Sequence, residues 1–276
     1  WRKKEIVELD SNKLETIRLD YGDRAFRLSK EGNEWWIREP LHVPADRMTV
    51  NRLIQTISGL TAEDFIDDRK SEEGKKFGPS KLILTLDGGY GNQNIKFYQR
   101  IKEKKGDDRF YAVSSPDEPI YVLKGKGLDS MMQNDLYALR DKTVLNIQRS
   151  AVQEVRIQSG SEFFSLFKKD DGWRMDDQKT EADKEKVAKV LDELYLMKAQ
   201  KFLDESTKDL SVYGLSAPQR QISFYDKDKK LMDKLSVGKD QEGLVYAKSD
   251  SQTAVVLVKK SILDAIRSKD QFIKKS

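Results

Sequence analysis

The sequence predicts an α+β protein of two similar domains from an internal duplication. Each domain is expected to be an antiparallel sheet with one main helix packed on a face and a short C-terminal helix. Three observations predict this. First, an amphipathic stripe occurs twice: Val50, Leu53, Ile54, Ile57 and Leu60 behind Ala45-Asp46, then Val187, Val190, Leu191, Leu194 and Met197 behind Ala182-Asp183. Spacing of i, i+3, i+4 and i+7 makes one apolar helix face, and Asp at the head is a favoured N-cap. Second, each stripe is flanked by short alternating runs punctuated by Gly, Asn, Asp and Pro, the pattern of consecutive hairpins. Third, landmarks recur at a slowly falling offset: 138 for Leu14 and Val152, 137 for Trp36 and Trp173, 136 for Gly78 and Gly214, and 135 for Leu128 and Leu263. A duplication with small loop deletions gives such a drift.

Taken in order, residues 5–13 read as a polar lead-in that turns at Asp10-Ser11-Asn12. Leu14, Ile17 and Leu19 open a strand, Tyr21-Gly22-Asp23 turns it, and Phe26 and Leu28 mark its return. Gly32-Asn33 places Trp36, inward-facing, on a third strand, and a loop between Pro40 and Pro44 delivers Asp46 to the helix. Beyond the helix come a strand over 62–68 with Phe65 inward, a charged connector over 69–79, and strands near 81–87, 93–101, 109–115 and 119–124. Leu128, Met131 and Met132 suggest the short closing helix. The order then begins again at Val152, so the expected domains are 5–144 and 145–276. The period far exceeds a solenoid unit, which favours two domains over a stacked array.

Composition narrows the class. The 276 residues are 37% hydrophobic and 36% charged, with 51 basic and 47 acidic side chains interspersed. A pI near 8.9 therefore describes no basic face, and nucleic acid is not an expected partner. The run Lys102, Lys104 and Lys105 is broken by Glu103 and followed by Asp107-Asp108, as at a solvated hairpin end. The absence of cysteine excludes disulfides and thiolate chemistry. No apolar run approaches the ~18 residues that span a bilayer. The first residues, Trp1 before Arg2-Lys3-Lys4, have the composition of a chain leaving a membrane interface, and an arbitrary start is the other open reading.

Chemistry-bearing residues form no recognisable constellation. His42, the sole histidine, lies in Leu41-His42-Val43-Pro44 beside no nucleophile and no acid pair, and one histidine cannot supply a His-rich metal set. Paired acids such as Asp67-Asp68, Glu72-Glu73 and Asp176-Asp177 fall in turns, where neighbours on extended chain point apart. Asp87-Gly88-Gly89-Tyr90-Gly91-Asn92 joins two strands and opens no helix, so it reads as a turn and not as a phosphate cradle. No catalytic residue, metal or cofactor is expected. One asymmetry marks a candidate surface. If Trp36 and Trp173 face inward, Trp35 faces out where the second copy has Gly172, and with Leu41, His42 and Val43 it forms an extra patch. Packing against a neighbouring strand or the other copy, local loop packing, and a partner or ligand surface all remain open for it.

The run Ala182-Asp183, Val187, Leu191, Leu194, Phe202-Leu203-Asp204, Asp209-Leu210, Tyr213-Gly214-Leu215 and Pro218 resembles a bacterial family of unknown function, DUF4340. Its members often carry the module in tandem, and the first half shows the same skeleton more weakly, through Trp36, Ala45-Asp46, Phe65, Phe77-Gly78 and Leu139-Arg140-Asp141-Lys142. The resemblance implies a membrane-spanning N-terminal helix, domains outside the cytoplasm in the bacterial envelope, and transporter subunits of the ABC gliding-motility kind as partners. It carries no catalytic residues. The expected function is a non-catalytic, membrane-tethered interaction module. The alternative is an extracytoplasmic glycan- or peptide-binding module, and an enzyme is the least favoured reading.

Overall fold

A computed structural model describes residues 4–67, 79–89, 91–98, 109–115, 118–124, 127–170, 172–176, 179–203, 205, 209–266 and 268–274. The chain divides into two compact units, Trp1–Asp141 and Lys142–Ser276. This joint lies three residues before the expected 144/145 division, because Val144 and Leu145 are both buried in the second core.

The first unit is one antiparallel sheet. Its strands are β1 (Leu14–Asp20), β2 (Ala25–Glu31), β3 (Glu34–Glu39), β4 (Val43–Pro44), β5 (Ala62–Ile66), β6 (Leu82–Gly88), β7 (Gln93–Phe97), β8 (Arg109–Val113) and β9 (Ile120–Lys124). They lie in the order β4-β3-β2-β1-β6-β7-β8-β9-β5. Alternation sends Ile17, Leu19, Leu28, Leu84 and Phe97 into a core they share with the buried stripe Val50, Leu53 and Ile57 of helix α1 (Arg47–Ser58). Each such side chain contributes on the order of 1.5–3 kcal/mol by leaving water. Helices α2 (Leu128–Met132) and α3 (Leu136–Leu139) close the unit.

The second unit holds β10 (Glu154–Ser159), β11 (Glu162–Lys169), β12 (Gly172–Arg174), β13 (Lys201–Phe202), β14 (Arg220–Tyr225), β15 (Leu231–Gln241), β16 (Leu244–Ser249) and β17 (Val256–Lys259). Their order is β12-β11-β10-β14-β15-β16-β17-β13, again antiparallel throughout. Val187, Val190, Leu191 and Leu194 of α4 (Lys184–Tyr195) enter its core, and α5 (Ser261–Ala265) follows β17.

Individual hydrogen bonds recur between the units. Ala45 N donates to Trp35 O at 2.9 Å and Ala182 N to Trp173 O at 3.0 Å. Asp46 N donates to Leu139 O and Asp183 N to Phe272 O, both at 2.7 Å. Ala62 N meets Lys4 O and Ala199 N meets Lys142 O, both at 2.8 Å. Each Asp caps its helix, Asp46 Oδ1 accepting from Thr49 N at 2.7 Å and Asp183 Oδ1 from Lys186 N at 3.2 Å.

Two readings need correction. Trp35, not Trp36, is the inward tryptophan and the counterpart of Trp173: Ile37 is fully buried, so strand alternation carries Trp35 to the core side and Trp36 to the outer side. The polar lead-in also contributes Ile6 and Val7 to the core, held by a bridge between Glu5 and Thr61. Phe77-Gly78, Asp68, Glu72-Glu73, Tyr90, Asp177, Asp204 and the Lys102–Lys105 run with Asp107-Asp108 lie outside the described residues. Among the described residues no helix is long and apolar enough to cross a membrane.

Candidate interaction surfaces

The four residues singled out by sequence do not share one surface. Trp35 and Val43 are core residues, Val43 pairing with Ile37 on the inward side of β3. Leu41 is half-buried against the same core, and His42 alone is exposed. The outer side carries Trp36, whose ring lies 5.0 Å from that of His42. Arg38 Nη1 is 2.9 Å from His42 Nε2, and Arg38 also pairs with Glu31 at 2.7 Å. Nearby, Glu39 takes Arg18 at 2.7 Å and Arg27 at 3.1 Å. Exposed ion pairs contribute only ~0–1 kcal/mol each, so this lattice solvates a sheet face.

A concave feature of the first unit lies elsewhere, at the start of β7. A cleft of about 500 Å³ opens between the lead-in, Phe65, the start of β7 and the turn joining β8 to β9. Gln93 builds one wall: its Oε1 accepts from Glu8 N at 3.1 Å and its Nε2 donates to Glu8 O at 2.6 Å, so a side-chain amide pairs with the lead-in as a strand would. Phe65 and Tyr121 meet edge-on with centroids 5.8 Å apart. Glu118 accepts from Tyr121 Oη at 2.6 Å and from Ser114 Oγ. Glu5, Glu8 and Glu118 line the cleft, and no cation does so among the described residues.

The matching place in the second unit carries a hydrogen-bonded acid. Asn146 N donates to Asp233 Oδ2 at 3.3 Å, as Glu8 N does to Gln93. Asp233 is 2% exposed and its carboxylate is saturated. It accepts from Ser249 Oγ at 2.7 and 2.8 Å, Ser251 Oγ at 2.7 Å, Ser251 N at 3.2 Å and Lys234 N at 2.8 Å. A buried carboxylate with this many donors is a fastening.

The run from Asp209 to Pro218 has a structural role as well. Asp209 Oδ1 accepts from Ser211 N at 2.9 Å and from Ser211 Oγ at 2.5 Å, which holds its carboxyl below the usual carboxylate range. Tyr213 packs against Tyr246 with ring centroids 5.0 Å apart and planes inclined at 56°. Gly214 turns the chain at φ +69°, and the segment then crosses β15 at Gly238, where a Cβ would meet Tyr213 O at 2.1 Å. Only glycine permits that approach. Tyr21 and Tyr195 are pushed up to about 12 by burial and stay protonated at neutral pH. Among the described residues no group of three or more acids and histidines is placed to hold a metal ion.

Sequence reasoning missed the cleft. Its one available signal is Asn92-Gln93-Asn94, three amides opening a strand that otherwise alternates through Ile95 and Phe97. Asn is a poor strand former, so such a run marks a strand end with another duty.

Fold and surface together define a strand-dominated protein of two antiparallel-sheet units, the first with a polar cleft at the start of β7. The family model for a domain of unknown function, DUF4340, matches the chain in three overlapping segments, residues 1–81, 35–181 and 173–276. The chain belongs to that family. Neither the curated proteins nor the solved structures contain a match.

Proposed function

We propose that the protein is a non-catalytic interaction module, tethered to a bacterial membrane outside the cytoplasm as an accessory of an ABC-type transporter assembly. The same reading makes the two units tandem copies of one ancestral domain, each an antiparallel sheet with a main helix on one face and a short C-terminal helix. The recurring backbone hydrogen bonds and the overlapping family matches support the duplication. The observation that carries the functional reading is the difference at one position. A saturated Asp233 occupies it in the second unit, and an open cleft does so in the first. A copy freed from holding the fold can turn the same backbone toward a partner. Acids elsewhere support the non-catalytic part, since Asp46, Asp183, Asp135 and Asp226 accept from backbone N–H groups. The membrane setting and the transporter partner rest on the family resemblance.

The test is purification of the full-length gene product from detergent-solubilised membranes. Retention of transporter subunits is the expected result. A full-length product recovered soluble and unaccompanied contradicts the reading. The cleft also favours the alternative of an extracytoplasmic glycan- or peptide-binding module, because its volume lies within the range of ligand sites.

A further inference from the structure

In an antiparallel sheet both backbone polar groups of a residue point to the same neighbour, and successive residues alternate. Tyr98 N donates to Tyr111 O at 2.9 Å, on the β8 side, whereas Phe97 O accepts from Lys81 N at 2.8 Å, on the β6 side. Counting back, Gln93 and Ile95 address β6, and Asn94 addresses β8. The pairing of β7 with β8 runs through Phe97↔Ala112 and Lys96↔Val113. The chain then turns away at Ser114, whose hydroxyl donates to Glu118. In the second unit the equivalent pairing continues. Leu235 pairs with Ser249, and Asp250 N donates to Lys234 O at 3.0 Å. Lys234 stands where Asn94 stands in the first unit. Among the described residues no strand pairs with exposed Asn94 on that side, so its N–H and C=O stand at an edge that opens into the cleft.

We propose that this cleft receives an extended segment of a partner protein, added as a strand beside Asn94, with basic side chains directed to Glu5, Glu8 and Glu118. The inference rests on the reading of the protein as an interaction module and names what the module grips. An open backbone edge selects an extended peptide, because main-chain hydrogen bonds supply the affinity and flanking side chains the choice of sequence. Among the described residues the charged groups lining the cleft are carboxylates, Glu118 with its two hydroxyl donors included, and their negative field favours cationic side chains. Phe65 and Tyr121 give the apolar wall for the alternate, inward-facing side chains of the added strand.

The experiment titrates the purified chain with an alternating Lys/Val peptide, its Glu/Val counterpart, the Lys/Val peptide N-methylated on alternate amides, and a neutral oligosaccharide. Amide resonances are followed by NMR. The expected result is binding of the unmodified Lys/Val peptide alone, with shifts centred on Asn94, Ser114 and Ser115. Charge reversal with Glu5→Lys and Glu8→Lys is expected to weaken binding about tenfold. Asn94→Pro is expected to abolish it, because it removes an N–H that β6 does not use; an unchanged urea midpoint verifies that the variant is folded. Equal binding of the Glu/Val peptide, retained binding by folded Asn94→Pro, oligosaccharide binding at these residues, or no binding at all overturns the proposal. A partner complex that survives Asn94→Pro and both charge reversals overturns the cleft assignment while leaving the interaction module standing. A full-length chain with no partner at all defeats the module itself.

Discussion

Asp233 illustrates how this protein uses its acids. Five donors, two hydroxyls and three backbone amides, converge on one buried carboxylate, so replacing it leaves donors unpaired. Asp233→Ala is expected to lower the unfolding free energy by about 3 kcal/mol in urea denaturation, with Asp233→Asn costing less because one acceptor oxygen stays. A loss within a few tenths of a kcal/mol would contradict the fastening role. Three acids of the second unit set a pH dependence. Glu181 is held below its ordinary value by Lys274 and then Arg174, Asp183 by the Lys186 N–H, and Asp209 by the Ser211 hydroxyl. All three folded-state values are depressed, so their stabilisation is present above the unfolded carboxylate range near pH ~4 and is lost as pH falls through the lowered values. Urea midpoints measured from pH ~6 down to pH ~2 should decline, and Glu181→Gln should flatten the decline.

At the scale of elements, the two tryptophans of β3 separate a core position from a surface one. Trp35→Ala should cost about 3–5 kcal/mol, as aromatic truncations in cores do, and Trp36→Ala about 1 kcal/mol or less. The reverse ranking would restore the inward Trp36. Gly238→Ala should destabilise by about 2 kcal/mol or more, because its Cβ would collide with Tyr213 O and displace the crossing segment. Helices and hairpins were legible in the sequence because their apolar periods are long and their turns carry Gly, Asn and Pro. The face of β3 was not, since two adjacent tryptophans satisfy either parity; Ile37 and Val43, read together, hold the answer. Strand β4 escaped because it is two residues long and ends in Pro44, which cannot donate to a ladder. The cleft was illegible for a further reason. It arises where β8 leaves β7, and the residues that face each other there, Glu8, Gln93 and Glu118, are distant in sequence.

At the scale of the whole molecule, the proposed duplication leaves one position fastened by Asp233 in the second unit and beside an open cleft at Gln93 in the first. Amide hydrogen exchange reads that difference directly, because it reports each backbone donor separately. In the free chain Asn94 N–H is expected to exchange rapidly, while neighbouring Ile95, bonded toward β6, and Asp250 N–H, donated to Lys234 O in the second unit, are expected to be protected. Asn94 exchanging as slowly as Ile95, or Asp250 as fast as a loop amide, would contradict this.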